Sequence, residues 1–280
     1  IVEQDKVLAH IGVKLRKLKI KKQTHLIAMY GGIAVDQNQR GKGLFSKLFE
    51  HVLELNKNVA LHLLWSEKLD LYKKFQFYPA IDLYQYPQQE LDIPSEYVVE
   101  VKKFTELSNL EFTTIKNLYD NNSGPKLIRE KKDWDELEKI NSTEIYLIKK
   151  NKNIENYFIK GKGADLNNIV HEYGFIDDEH LAILKTVGDV WSPYKSEIYN
   201  YNTIFATVLA SGQKQLFNEL IRNYTGILIK QSTKDLIVFL FEGAEITLPV
   251  DEFLQGVFGP GRFKELGNLE PLFISGLDSI

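Results

Sequence analysis

One stretch organises this sequence: Ile33-Ala34-Val35-Asp36-Gln37-Asn38-Gln39-Arg40-Gly41-Lys42-Gly43-Leu44-Phe45. It continues the apolar run Ile27 to Val35, which is too short to cross a membrane and suits a strand that is covered on both faces. After the stretch, apolar residues recur at helical spacing, at Leu44, Leu48, Val52 and Leu55. The order therefore predicts a buried strand, a basic glycine turn and a helix.

The turn itself combines glycines with cations. Gly41 and Gly43 let the backbone bend and leave space for a ligand. The first amides of a helix have no internal partner, and the helix dipole favours an anion beside them. Arg40 and Lys42 add two positive charges there. The residues leave two interpretations open, a cradle for phosphate or pyrophosphate and a basic solvated turn that binds nothing.

A second stretch narrows the choice. Val59 to Ser66 is a second buried strand, and it is followed by Leu71-Tyr72-Lys73-Lys74-Phe75-Gln76-Phe77. Strand, Arg-Gly-Lys-Gly turn, helix, strand and this final motif together resemble the GNAT superfamily of N-acetyltransferases over residues 7–83. The resemblance implies an α/β (α+β) fold, with a mixed, mostly antiparallel sheet flanked by helices. It also implies acetyl-coenzyme A (acetyl-CoA) as cosubstrate.

The resemblance implies roles for individual residues. The turn would hold the pyrophosphate of acetyl-CoA, and a backbone amide around Ile33 to Val35 would polarise the thioester carbonyl. Tyr72 would be the general acid that protonates the leaving thiolate, since a phenol with a pKa of about 10 matches a thiol reasonably well. The alternative for Tyr72 is a packed helix aromatic. The implied cofactor-binding residues are Ile33, Ala34, Val35, Arg40, Gly41, Lys42, Gly43, Leu44 and Phe45.

Two features of the site are less regular. The family usually has Gly or Ala at the position of Phe45, so this ring is expected to crowd the last pyrophosphate contact. The general base is open: Glu67, just past the second strand, is the first candidate. His62 is either a base or a core residue, and His171 with Glu172 could contribute if the second domain closes over the cleft. Water is a further alternative.

The end of the chain offers one more candidate base. Tandem acetyltransferases of the enhanced-intracellular-survival type place their own C-terminal carboxylate at the active site. The tail that ends at Ile280 is apolar enough to dock on the protein. The resemblance therefore allows the C-terminal carboxylate to act as the base here.

Composition limits the function classes. The chain has 280 residues, 44% of them hydrophobic, and a net charge of -3. It can bury one large core or two ordinary ones, and the charge gives no indication of nucleic acid or an anionic membrane as partner. The absence of cysteine excludes disulfides, thiolate metal sites and a cysteine nucleophile. We expect a cytoplasmic protein without a metal, acting on a small-molecule or peptide amine.

The sequence predicts two domains. Residues 1–94 would form the acetyl-CoA-binding domain; the two strands and two helices that precede this hairpin in the family are expected to lie outside the sequence. Residues 95–280 would form a second, diverged GNAT-like domain, which would be a lid or a platform for a homodimer. Asp177, Asp178 and Glu179 stand where the first domain has its cations. Because carboxylates repel a pyrophosphate, we expect one acetyl-CoA per chain.

Several local patterns carry further expectations. Asp177 to His180 is either a metal cluster or, as we prefer, a helix N-terminus with favourable acidic residues. Gly161-Lys162-Gly163 is either an anion site or, as we prefer, a hairpin turn. Helices are predicted over residues 126–140 and 203–222.

Two functions compete with acetyl transfer. One is a non-catalytic protein that binds acyl-CoA or a partner on a GNAT scaffold. The other is a phosphate-ligand module unrelated to acetylation.

Overall fold

The computed structural model describes residues 1–259, 263, 266 and 269–278. Its strands are β1 Val2–Glu3, β2 Lys6–Val7, β3 Ala9–Ile20, β4 Gln23–Val35, β5 Leu61–Trp65, β6 Tyr78–Tyr86, β7 Tyr97–Lys102, β8 Lys126–Leu127, β9 Glu144–Lys150, β10 Asn153–Lys160, β11 Ile169–Tyr173, β12 Asp189–Ser192, β13 Asn202–Ser211, β14 Leu228–Ser232, β15 Leu236–Phe241 and β16 Ala244–Pro249. Its α-helices are α1 Leu44–Leu55, α2 Leu69–Lys73, α3 Asn109–Asn121, α4 Lys131–Leu137, α5 Asp178–Lys185, α6 Lys214–Thr225 and α7 Val250–Phe258.

A single 11-stranded sheet runs through the protein, in the order β7-β9-β10-β11-β12-β6-β13-β5-β4-β3-β8. Its neighbours are antiparallel except for two parallel pairs, β4 with β5 and β11 with β12. Helices flank this sheet, and β14, β15 and β16 form a separate small sheet. The predicted mixed, mostly antiparallel α/β fold is confirmed.

Strand β4 is covered on both faces from Ile27 to Tyr30, whereas the rest of the predicted apolar run, to Val35, is only partly buried or exposed. On one face Ala28 and Tyr30 pack with α1 and α2. On the other face Ile27 and Met29 pack with α6, α7 and the small sheet. The predicted antiparallel pair of β3 and β4 is present, and α1 spans Leu44–Leu55, as its spacing indicates.

The same strand–helix–strand order occurs twice. β4, α1 and β5 form one unit with a parallel strand pair, and β11, α5 and β12 form another. A Trp-Ser pair lies at the end of both second strands: Trp65 ends β5 and precedes Ser66, and Trp191-Ser192 end β12. The proposed boundary at residue 94 stays a prediction. The two parts share one sheet, because β13, from the second part, lies between β5 and β6 of the first part.

The helix predicted over residues 203–222 is wrong in its first half. Residues 202–211 form β13, which pairs antiparallel with β5 on one side and β6 on the other. An apolar run of this length fits a central strand and a buried helix equally well, and here two strands need a common partner. Gly212 ends the strand so close to the Val59 carbonyl that a Cβ would lie 1.9 Å from its oxygen. Helix α6 begins only at Lys214.

The helix predicted over residues 126–140 begins later than expected. Lys126 and Leu127 instead pair with Lys19 and Leu18 at the edge of β3, and α4 covers Lys131–Leu137. The C-terminal tail docks on the protein as predicted, with Leu277 only 1% exposed. Within the described ranges, no helix combines the length and the apolar character that crossing a bilayer requires.

Candidate active site

The glycine turn lies between β4 and α1, as predicted. Asp36 caps a short 3-10 segment by accepting a hydrogen bond from the Asn38 amide at 2.9 Å. Gly41 and Gly43 then adopt φ values of +79° and +76°, the left-handed region in which glycine carries no steric cost. Gly43 is the N-cap of α1 and has no side chain to cap the helix. The first amides of α1 therefore face the turn without an intrahelical partner.

Three cations surround this helix N-terminus. Arg40 and Lys42 are exposed; Arg40 donates to the Val35 carbonyl at 3.4 Å, and Lys42 donates to the Gln39 side chain at 2.8 Å. Lys74, to which the sequence analysis assigned no role, donates to the hydroxyl of Ser46 in the first turn of α1. The positive helix end and these side chains together form a site with the charge and amide donors that a phosphate group needs.

Strands β4 and β5 diverge in the last part of β4, just before the glycine turn. Their parallel pairing ends at Tyr30 and Leu64, whereas β4 continues to Val35 beside β3. No described residue of β5 pairs with residues 31–35. The edge formed by Ile33, Ala34 and Val35 therefore faces an opening between two strands, where backbone amides can bind an extended ligand or polarise a carbonyl.

Tyr72 lies on α2 and shares a hydrogen bond with Ser66, the residue that follows β5. Its side chain is buried, 6% exposed, and its ring packs edge-on against Phe45 with centroids 5.8 Å apart. Burial raises the pKa of Tyr72, and a hydrogen bond with Ser66 at the end of β5 partly opposes that rise. The phenol is therefore protonated at neutral pH and can donate a proton. The ring is packed in the aromatic cluster, and the general-acid role of Tyr72 stays a prediction.

The Phe45 ring, which the sequence predicts to crowd the pyrophosphate contact, packs against other aromatic rings. Its ring contacts Phe49, Phe75 and Tyr72, with centroids 5.4, 5.7 and 5.8 Å apart, and the Lys74 ammonium lies 5.6 Å from its centre. The side chain is thus held in the aromatic cluster between α1 and α2. The backbone of Phe45 lies in the first turn of α1, among the helix amides that have no intrahelical partner.

The candidate bases lie in different places. Glu67 is exposed on the loop between β5 and α2. His62 belongs to the core: it is 6% exposed, bonded to the Tyr30 hydroxyl at 2.7 Å, and burial lowers its pKa to about 4. The C-terminal carboxylate of Ile280 lies outside the described residues.

His171 and Glu172 are not brought to the glycine turn. They lie on β11, separated from β4 by four strands, a distance on the order of 24 Å at ordinary strand spacing. Burial lowers the pKa of His171 to about 4, and Glu172 is 2% exposed and bound by Arg129 and the Tyr157 hydroxyl. They are held as part of a buried charge cluster.

Two motifs of the second part have the structures we preferred: Asp177 to His180 begin a helix, and Gly161-Lys162-Gly163 lie in the connection of a strand pair. Asp177 is the N-cap of α5 and accepts hydrogen bonds from the His180 amide and ring, both at 2.8 Å. Gly161 to Gly163 follow β10 in its antiparallel connection to β11. Lys162 donates to the carbonyls of Gly276 and Leu277 at 3.3 and 3.2 Å, so it holds the tail.

Comparisons with known proteins agree with this geometry. Residues 1–80 match the family described as acetyltransferase (GNAT) domain. No curated protein matches the chain.

Solved structures match at low sequence identity. A GCN5-related N-acetyltransferase from Kribbella flavida is 13% identical with a TM-score of 0.58, over 100% of this chain and 86% of that one. A probable N-acyltransferase of unknown function from Enterococcus faecalis V583 is 13% identical with a TM-score of 0.58, over 90% and 77%. Eis1 from Mycobacterium abscessus is 12% identical with a TM-score of 0.57, over 92% and 78%. These likenesses establish a shared fold across both parts of the chain.

Proposed function

We propose that the protein transfers an acetyl group from acetyl-CoA to a primary amine. The premise is that residues 1–80 match the GNAT acetyltransferase domain and that the chain shares the fold of such proteins. The observation that carries the proposal is the uncapped N-terminus of α1 at Gly43. It lies among Arg40, Lys42 and Lys74 and follows the strand that diverges from β5.

The residues divide the reaction between them. The α1 amides and the cations bind the pyrophosphate, and the backbone of residues 33–35 holds the thioester and polarises its carbonyl. The amine nitrogen forms a bond to the carbonyl carbon while the carbon–sulfur bond breaks. Tyr72 gives its hydroxyl proton to the leaving sulfur, and the amine loses one proton to a base, so protons balance.

We propose one acetyl-CoA per chain. In the second strand–helix–strand unit, the helix N-terminus is already capped by the Asp177 carboxylate and flanked by Asp178 and Glu179. A phosphate would have to displace this cap and approach three negative charges. The repeated unit supports a tandem GNAT architecture in which the second part has lost its cofactor site.

Calorimetric titration with acetyl-CoA tests the binding site. Arg40→Ala removes one charge-assisted contact, worth roughly 1.5–3 kcal/mol, so we expect Kd to rise about 10- to 150-fold. Lys57→Ala is the matched control, because Lys57 lies just beyond the opposite end of α1 and pairs with Glu54. Unchanged affinity in Arg40→Ala, or no binding by the wild type, would contradict the proposed site.

Turnover separates an enzyme from a binding protein. A panel of amines is assayed by release of the free thiol from acetyl-CoA. Tyr72→Phe should keep the acetyl-CoA Kd and lower kcat by about 10²- to 10⁴-fold, the usual contribution of a positioned acid. Wild-type binding without turnover on any amine would favour the non-catalytic acyl-CoA-binding protein. Full activity of Tyr72→Phe would make Tyr72 a packing residue only.

A further inference from the structure

A β-bulge lies beside the opening between β4 and β5. Gly12 pairs with Gly31 and His10 pairs with Ala34, so β4 carries one more residue than β3 between these pairs. Gly32, inside the bulge, has a φ of +56°, which favours glycine. Bulges re-aim backbone groups and side chains and are common next to active sites.

His10 is bonded to this bulge. Its Nδ1 lies 2.9 Å from the Gly32 carbonyl oxygen, and its ring lies 3.6 Å from the point that a Cβ on Gly32 would occupy. A carbonyl can only accept a hydrogen bond, so Nδ1 carries the hydrogen. The other nitrogen of the neutral ring, Nε2, then carries a lone pair. His10 is exposed, and among the described residues Nε2 has no recorded partner.

The position of His10 is set by strand register. Its cross-strand partner Ala34 belongs to the segment whose backbone holds the thioester in the proposed reaction. Directly paired residues have Cα atoms about 4.5–5.5 Å apart. The imidazole contacts the Gly32 carbonyl, two residues before Ala34, so the ring lies beside the strand segment that holds the thioester in the proposed reaction.

We propose that His10 is the general base of the acetyl transfer, an inference that rests on the proposed function. Nε2 accepts the amine proton as the carbon–nitrogen bond forms, and the Gly32 carbonyl stabilises the positive charge through Nδ1–H. The exposed ring then releases the proton to water. Tyr72 supplies the separate proton for the leaving thiolate, so the two proton transfers complete the reaction.

The other candidates meet these conditions less well. His62 is buried, and its low pKa keeps it neutral and bonded to Tyr30. Glu67 is exposed on the loop after β5 and makes no hydrogen bond to β4 among the described residues, whereas His10 is hydrogen-bonded to the bulge in β4. Among the described residues, the charged groups near the His10 end of the hairpin include the Lys6–Asp36 ion pair at 2.8 Å and Arg40, which acts on Asp36. The N-terminal ammonium of Ile1 also lies there and donates to the Ala9 carbonyl at 2.7 Å.

The first test needs no turnover. Nitrogen-15 NMR of the histidine rings in the full chain should show His10 as the Nδ1–H tautomer. Acetyl-CoA should shift the His10 ring signals, whereas those of His51, exposed on α1, should change little. An Nε2–H tautomer, or His10 signals that ignore a bound acetyl-CoA, would overturn the proposal.

The second test uses kinetics. His10→Gln should lower kcat by about 10²- to 10⁴-fold, leave the acetyl-CoA Kd within twofold, and abolish the loss of rate at acidic pH. Added imidazole should partly restore His10→Ala, and His51→Gln should behave as wild type. If His10→Gln keeps the turnover and the pH profile of the wild type, the role of His10 as base is refuted and the proposed function stands. Absence of wild-type turnover refutes the proposed function and the base with it.

Discussion

Arg129 is the position where a single substitution should cost the most stability. Its side chain is fully buried and donates to Glu172 at 2.8 Å and to Asp278 at 2.7 Å. The guanidinium also lies 4.0 and 4.8 Å from the ring centres of Tyr119 and Trp134. Arg129→Met keeps most of the volume and removes the charge, so two buried carboxylates lose their main partner.

The magnitude follows from the charges that remain. Arg16 still contacts Asp278 at 3.3 Å, but Glu172 keeps only the Tyr157 hydroxyl among the contacts described. Removing one member of a buried ion pair costs about 3–5 kcal/mol, which corresponds to about 10²- to 10⁴-fold in the folding equilibrium constant. We expect the free energy of unfolding at pH 7 to fall by this amount.

The pH dependence has a definite sign. Burial raises the pKa of Asp278, but the charge and hydrogen bonds of Arg129, with Arg16, outweigh burial and hold the pKa below its ordinary value. A lowered pKa contributes stability that is present above the unfolded pKa of about 3.9 and is lost as the pH falls through the folded value. In Arg129→Met the pKa of Asp278 should rise instead, because the charge and hydrogen bonds of Arg129 no longer oppose the effect of burial. The difference from wild type should therefore shrink as the pH falls from 7 towards 4.

Urea unfolding followed by circular dichroism measures both effects. Lys17→Met is the matched control: it removes the exposed ion pair at 2.9 Å between Lys17 and Glu130, the residue next to Arg129, and should cost less than about 1 kcal/mol. A loss below 1 kcal/mol for Arg129→Met at pH 7, or a loss that does not change with pH, would refute the reasoning.

Four further substitutions test three separate features of the structure. In Gly43→Ala the new methyl group meets no atom within 4 Å, so the positive φ alone should lower the free energy of unfolding by about 1–2 kcal/mol. In Gly212→Ala the methyl group would overlap the Val59 carbonyl, so the loss should be clearly larger. Equal losses for the two variants in urea unfolding would contradict this. Phe49→Ala empties a fully buried site and should cost about 3–5 kcal/mol; a loss below 1 kcal/mol would mean that the aromatic cluster repacks. Lys74→Gln should weaken acetyl-CoA binding about tenfold through one lost charge-assisted contact with little change in Tm, and unchanged calorimetric affinity would remove Lys74 from the phosphate site.

The glycine turn and its flanking elements are readable in the amino-acid sequence because their determinants are local. Helix α1 begins and ends at Leu44 and Leu55, where the helical spacing of apolar residues begins and ends. Gly43 has a positive φ and directly precedes the helix. Because glycine has no side chain, its place before Leu44 already implies a helix end without a side-chain cap. The same holds for Asp177, whose capping role depends on residues within three positions of it.

Other features depend on partners that lie far away along the chain. Residues 202–211 form a strand because β5 and β6 pair with them from both sides, a condition that the apolar run does not encode. The alternating pattern of β3 predicts a strand, but the bulge that binds His10 exists only in its register with β4. Arg129 and Asp278 are 149 residues apart.

Short-range order therefore comes from the sequence: turn chemistry, helix period and caps act between residues a few positions apart. The order of strands in the sheet, the bulge at Gly32 and the buried charge cluster come from tertiary structure. Pairing free energies of distant segments decide them, and several arrangements satisfy the same local pattern. The proposed general base, His10, belongs to this second group. A histidine in an alternating strand gives no indication of function in the sequence, and only the tertiary structure places the Gly32 carbonyl against its Nδ1.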